Sequence, residues 1–148
     1  MTWILVKVDI DPAGSVATAV MDYVHAVARG VGVCTDGNAD TVEVEFDLLT
    51  SAYVALPFRA PNFPAYDLAL VWDEESGWAV AIESDPNYPP IAIVYQGGQV
   101  LPAPAAVVAF VDDLRAGRQP GQPNRPVFRR GSDDDDLRAR LTDYRRCP

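Results

Sequence analysis

The stretch LALVWDEESGWAVAIE, residues 68–83, decides the fold. Leu68, Leu70 and Trp72 alternate with Ala69 and Val71, and after four polar residues and Gly77, Trp78, Val80 and Ile82 alternate with Ala79 and Ala81. A period of two marks strands, because successive side chains point to opposite faces. Pairing Leu68, Leu70 and Trp72 with Ile82, Val80 and Trp78 leaves a loop over 73–77 and gathers every large side chain on one face. Asp73, Glu74, Glu75 and Ser76 then occupy the loop, and Gly77 supplies turn freedom. The expectation is a hairpin with a solvent-exposed acidic tip that has no catalytic or metal role.

The same period extends to both sides. In TVEVEFDL, Val42, Val44, Phe46 and Leu48 alternate with Glu43, Glu45 and Asp47, a half-buried strand with one wet face. In SAYVALPF, Val54, Leu56 and Phe58 oppose Tyr53 and Ala55. For the two large sets to share a face, the connection must hold an odd number of residues, such as 49–51. A fifth strand over 91–95 runs into Gly97-Gly98, a hairpin-type turn. Residues 2–10 also read as a strand.

Helical spacing appears twice. Asp11-Pro12 offers a helix start, Val16, Val20, Tyr23, Val24 and Val27 form an apolar stripe, and Gly30 or Gly32 ends it. Pro102 and Pro104 precede a second stripe of Val107, Phe110, Val111 and Leu114, which Gly117 stops. A sheet with one large-residue face needs cover that the helices provide. The fold class is therefore α+β, a two-layer sandwich of an antiparallel meander of about five strands with two amphipathic helices on one face. Residues 1–117 form the domain, 118–131 a Pro/Gly/Arg-rich connector and 132–148 a short C-terminal helix, with the aspartates of 133–136 at its start.

The net charge of −9 is unevenly spread. Residues 1–114 carry sixteen acidic and three basic side chains, whereas 115–148 carry five and nine. An acidic body disfavours nucleic acid and anionic membranes, and no run approaches a membrane span. On the face opposite the helices, Glu43, Glu45, Asp47, Asp67 and Glu83 surround Ala55, Ala69, Ala79 and Ala81. Arg118, Arg125, Arg129 and Arg130 follow Gly117 without an intervening acid, so the tail is expected to dock on that face, carrying Leu137, Leu141 and Tyr144, or on the same face of a second copy, with a disordered Pro/Gly-rich tail as the alternative.

Two phrases are distinctive: YVALPFRAPNFPAYDLALVWDEESGWAVAIE (53–83) and GGQVLPAPAAVVAFVDDLRAG (97–117). Together they resemble a family of small actinobacterial proteins classed as a domain of unknown function. The resemblance covers the central half of the chain. It implies a cytoplasmic actinobacterial protein and brings no catalytic residues.

Chemistry is sparse. His25 is the only histidine, beside the first helical stripe, and no serine or cysteine motif accompanies it. Cys34 and Cys147 have no ligand-like spacing and suit a reducing cytoplasm, so neither a metal nor a cofactor is expected. Asp9-x-Asp11 lacks a following phosphate loop. What remains is the repeat PNFP at 61–64 and PNYP at 86–89, with PNRP at 123–126. In a meander the first two loops emerge at one end of the sheet. The expected binding rim is Arg59, Asn62, Phe63, Asn87 and Tyr88, because prolines stiffen loops and aromatics anchor interfaces. These residues point to a non-catalytic accessory or regulatory protein acting through contact with a basic protein partner, with self-association left open. The alternatives are a small-ligand pocket beneath the Pro-Asn-aromatic loops, or an enzyme with a cleft joining Asp73, Glu74 or Glu75 to His25.

Overall fold

The computed structural model describes residues 15–33, 42–46, 49–130 and 137–146. The expected strand over 2–10, the Asp11-Pro12 helix start, Asp47, both cysteines and the aspartates of 133–136 lie outside these residues. In chain order the elements are α1 (Ser15–Gly30), β1 (Val42–Phe46), β2 (Thr50–Ala55), β3 (Asp67–Asp73), β4 (Gly77–Glu83), β5 (Ile91–Tyr95), α2 (Pro104–Arg115) and α3 (Leu137–Arg146). The strands pair antiparallel in the order β1-β2-β3-β4-β5. This is the meander that the alternation implies.

The central hairpin has the register read from the sequence: Leu68 opposes Ile82, Leu70 opposes Val80 and Trp72 opposes Trp78. Between β1 and β2 the connection is 47–49, two residues earlier than 49–51. Val42 therefore opposes Val54 and Glu43 opposes Tyr53. The count remains odd, so every side chain keeps its expected face. Thr50 opposes Phe46 as the first residue of β2. Its backbone N–H donates to Glu74 Oε2 at 2.6 Å and its carbonyl accepts the Glu74 N–H at 3.1 Å, which draws it into the strand.

The large-residue face is sealed by helices. Val54, Leu68, Leu70, Trp72, Trp78 and Val80 are buried together with Val20, Tyr23, Val24 and Val27 of α1 and Val107, Phe110, Val111 and Leu114 of α2. At the centre, the rings of Tyr23, Trp72 and Trp78 lie 6.1–6.4 Å apart, within the range of favourable aromatic pairs. Burying them requires partners for their polar ends. Trp78 Nε1 donates to Tyr23 Oη at 2.9 Å, the Tyr23 hydroxyl donates to the Pro102 carbonyl, and Trp72 Nε1 donates to the Val100 carbonyl at 2.7 Å. The segment over 100–102 thus satisfies the aromatic cluster and delivers the chain to α2.

Pro104 opens α2, where its missing N–H costs nothing. Gly117, at φ 86°, closes it with a Schellman turn: the Gly117 N–H bonds the Leu114 carbonyl and the Arg118 N–H bonds the Asp113 carbonyl. Beyond it, Gln122 exchanges two 2.8 Å backbone hydrogen bonds with Tyr95, laying the connector against the end of β5. Gly121, at φ 76°, makes this approach possible, since a Cβ there would collide with the Tyr95 carbonyl.

The C-terminal helix departs from expectation. Instead of covering the open acidic face, α3 joins the helical layer against α1, with Leu137 and Leu141 buried in the common core. Arg140 Nη2 ties it to Gln99 Oε1 at 2.7 Å. The apolar surface of α1 rewards burial of two leucines, whereas a floor of alanines and carboxylates does not. The helical layer therefore holds three described helices, and the other face of the sheet stays open.

Replacing Tyr23 by Phe removes the acceptor of Trp78 and the donor of Pro102 while keeping the ring. A loss of about 1–3 kcal/mol in unfolding free energy is expected, measured by urea denaturation. An unchanged midpoint would contradict this role for the hydroxyl.

Candidate binding groove on the open sheet face

Strand parity builds this site. With the even-numbered side chains of β1–β4 committed to the helices, the odd ones must face outward. Glu43, Tyr53, Val71, Ala79 and Tyr95 form one row across all five strands. Ala55, Ala69, Ala81 and Ala92 form a parallel row of small side chains. A groove of about 690 Å³ lies on this face, with Ala79 and Ala92 among its lining residues. Among its lining residues are Glu43, Glu45, Glu83 and Asp85, together with Tyr53, Tyr88 and Tyr95.

Tyr53 is central to the groove. Its hydroxyl donates to Glu83 Oε1 at 2.6 Å. Burial, that hydrogen bond and the negative charges of Glu83, Glu43 and Asp67 all push its pKa well above the ordinary tyrosine value. The phenol therefore stays a neutral donor, holding Glu83 in place on the groove wall. At one end the loop over 84–90 supplies Asp85, whose Oδ1 accepts the Asn87 N–H at 2.9 Å, and Tyr88, which is 70 % exposed.

The other end corrects the hairpin reading. Asp73 Oδ1 accepts the backbone N–H groups of Glu75 and Ser76 at 2.8 and 2.7 Å, a local turn cap of the expected kind. Glu74 and Ser76, however, are buried rather than exposed. Glu74 Oε1 meets Arg129 Nη1 at 2.9 Å, with the two side chains only 2 % and 8 % exposed. The Phe128 N–H donates to the Glu75 carbonyl, so the connector straps the tip. A solvated tip is the ordinary outcome for an acidic loop. Here an arginine 55 residues away replaces the solvent. Arg125 lies in the groove mouth, 3.8 Å from Asp73 Oδ2 and 3.7 Å from Glu75 Oε1.

The five residues expected to form one rim are divided. Tyr88 lines the large groove. Phe63 is half-buried against the core and, with Asn62, lines a smaller cavity of about 320 Å³ beside Ile93, Leu114 and Gln122. Asn62 Nδ2 donates to the Gly117 carbonyl at 3.3 Å, anchoring its loop to the end of α2. Arg59 pairs with Asp67 at 3.0 Å and bonds the Pro64 carbonyl, while Asn87 is exposed and lines neither cavity. The loops share an end of the sheet, as the meander requires, but their aromatic rings serve different cavities. It is the third repeat, PNRP, whose Arg125 shares the groove with Tyr88. Tyr95 was not among the expected residues: plain alternation groups it with Ile91, whose partner Ile82 faces the helices, and a register shift between Val80 and Ala81 turns it to the groove.

His25 is half-buried on α1 and lines neither cavity. Among the described residues, no group of three histidine, cysteine or carboxylate side chains is arranged to hold a metal ion, and no helix is long and apolar enough to cross a membrane. A family of unknown function, DUF6292, matches residues 23–113, from α1 through most of α2. No curated protein and no solved structure matches the chain.

The two connector arginines should behave differently. Arg129→Met leaves Glu74 buried without its partner and should cost about 3–5 kcal/mol of stability. Arg125→Gln removes a long, exposed contact and should cost less than about 1 kcal/mol. Equal costs in chemical denaturation would overturn the assignment of the buried pair.

Proposed function

We propose that this chain, which belongs to the DUF6292 family of unknown function, is a non-catalytic binding protein that holds a basic segment of a partner protein in the groove on its open sheet face. The observation that carries this reading is the groove itself. Five carboxylates and three tyrosines line it, and Arg125, the cationic side chain among its lining residues, sits at one end. Carboxylates select a cationic ligand, tyrosine faces favour ammonium and guanidinium groups, and the small floor admits a peptide backbone. Arg125 between Asp73 and Glu75 is an internal example of that pairing. The exposed Tyr88 offers an aromatic anchor at the far end.

The unpaired spacing of the cysteines suits a reducing compartment, so we place the partner in the cytoplasm. A second reading, a small apolar ligand beneath the PNFP loop, is supported by the 320 Å³ cavity that Phe63 and Leu114 line.

A fluorescein-labelled peptide carrying several arginine and lysine residues tests the first reading by polarisation. Binding should weaken as salt rises. The double substitution Glu43→Gln, Glu45→Gln should weaken it by at least about tenfold, and Asp112→Asn, an exposed carboxylate on α2 in the helical layer, should leave it unchanged. Binding that is insensitive to the glutamate changes, or absent at low salt, would contradict the proposal.

A further inference from the structure

The connector crosses one end of the groove between two firm attachments. Gln122 exchanges two backbone hydrogen bonds of 2.8 Å with Tyr95, and further along the Phe128 N–H donates to the Glu75 carbonyl at 2.8 Å. Arg129 secures the second attachment through its buried contact with Glu74 Oε1 at 2.9 Å and a hydrogen bond to the Glu74 carbonyl at 3.2 Å. The chain over 123–127 is thereby fixed at both ends. Arg125 stands midway, and its side chain lines the groove mouth. Its hold there is weak by comparison. Arg125 Nη2 lies 3.8 Å from Asp73 Oδ2 and 3.7 Å from Glu75 Oε1, beyond hydrogen-bond range, and the side chain is 45 % exposed. Asp73 itself is held firmly, because its Oδ1 accepts the Glu75 and Ser76 N–H groups of the hairpin turn. A fixed carboxylate thus faces a loosely held cation.

We propose that Arg125 is a built-in competitor for the groove: a basic side chain of the partner takes its place beside Asp73 and Glu75, and the Arg125 side chain swings out to solvent. The proposal rests on the basic-partner reading above and adds a threshold to it. An exposed ion pair of this kind is weak, so displacing it costs little. The strap need not move, since its attachments through Gln122, Phe128 and Arg129 do not involve the Arg125 side chain. A competitor carried on the same chain is nevertheless present at high effective concentration. A solitary cation therefore competes poorly against it. A segment bearing several cations, held at the same time by Glu43 and Glu45, displaces it because its second contact is also intramolecular. Arg125 in this way selects for multiply charged segments.

The test uses the full chain and the fluorescein-labelled arginine- and lysine-bearing peptide at low salt. Affinity is compared for the unaltered protein, for Arg125→Gln, for the pair Asp73→Asn with Glu75→Gln, and for all three substitutions together. Asparagine at 73 keeps an oxygen that can cap the turn. Competition predicts that Arg125→Gln binds about three- to fivefold more tightly than the unaltered protein, the range that the strength of an exposed ion pair allows. It also predicts that the same substitution changes nothing once Asp73 and Glu75 have lost their charges, because the place that Arg125 vacates is then gone. An equal gain in both backgrounds would reduce Arg125 to a general positive charge and overturn the proposal. Unchanged or weaker binding by Arg125→Gln overturns it as well, and the groove reading survives if the Glu43 and Glu45 substitutions still weaken the peptide. If none of the proteins binds the peptide, both fail.

Discussion

Trp72 and Trp78 face each other across the central hairpin, and most of the architecture follows from keeping both buried. Their opposition sets the β3–β4 register, and with it the face to which each neighbouring side chain belongs. Their indole N–H groups need acceptors away from water, which Tyr23 on α1 and the Val100 carbonyl provide. A helix, a hairpin and the segment entering α2 are thereby locked to one another by two rings and three hydrogen bonds. An unsatisfied indole would cost as much as several ordinary surface contacts contribute, so this polar closure is as important as the burial itself.

The open face is the consequence of that commitment. Once the large side chains of four strands turn toward the helices, the intervening positions hold alanine, tyrosine and carboxylate, and nothing in them offers an apolar surface for another helix. This explains why α3 docks on α1 rather than across the groove. The connector resolves the remaining conflict at the hairpin tip. Glu74 reaches back to the Thr50 backbone, which aligns β2 with β3, and that inward position removes it from water. Arg129 compensates the charge. Both Arg129 and the groove's Arg125 come from beyond the segment matched by the family, which ends at residue 113.

Much of this was legible in the sequence because strand periodicity is a local signal. The residues flanking 73–77 specify their own pairing, and the stripes ending in Leu114 and Val27 specify their own burial. The Glu43–Glu45 alternation likewise placed the acids on the outer face. What could not be read depends on distant partners. Nothing near Glu74 distinguishes a carboxylate that meets Arg129 from one that meets water. The repeated Pro-Asn-aromatic-Pro phrase gave the correct end of the sheet, but not the direction of each ring, because a loop residue has no periodicity to assign its face. Phe63 turned toward the core and Tyr88 toward the groove. The helix over 137–146 was visible as an amphipathic segment, while its site on α1 depended on comparing two surfaces.

The functional account rests on one asymmetry: one face of the sheet is closed by helices and the other carries the groove that we propose receives a basic partner. The most direct measurement is backbone amide chemical-shift mapping of the full chain during titration with the arginine- and lysine-bearing peptide. The account predicts shifts concentrated in β1, β2 and residues 83–88, with α1 and α2 little affected. Shifts centred on the helices, or on the cavity around Phe63 and Leu114, would contradict it.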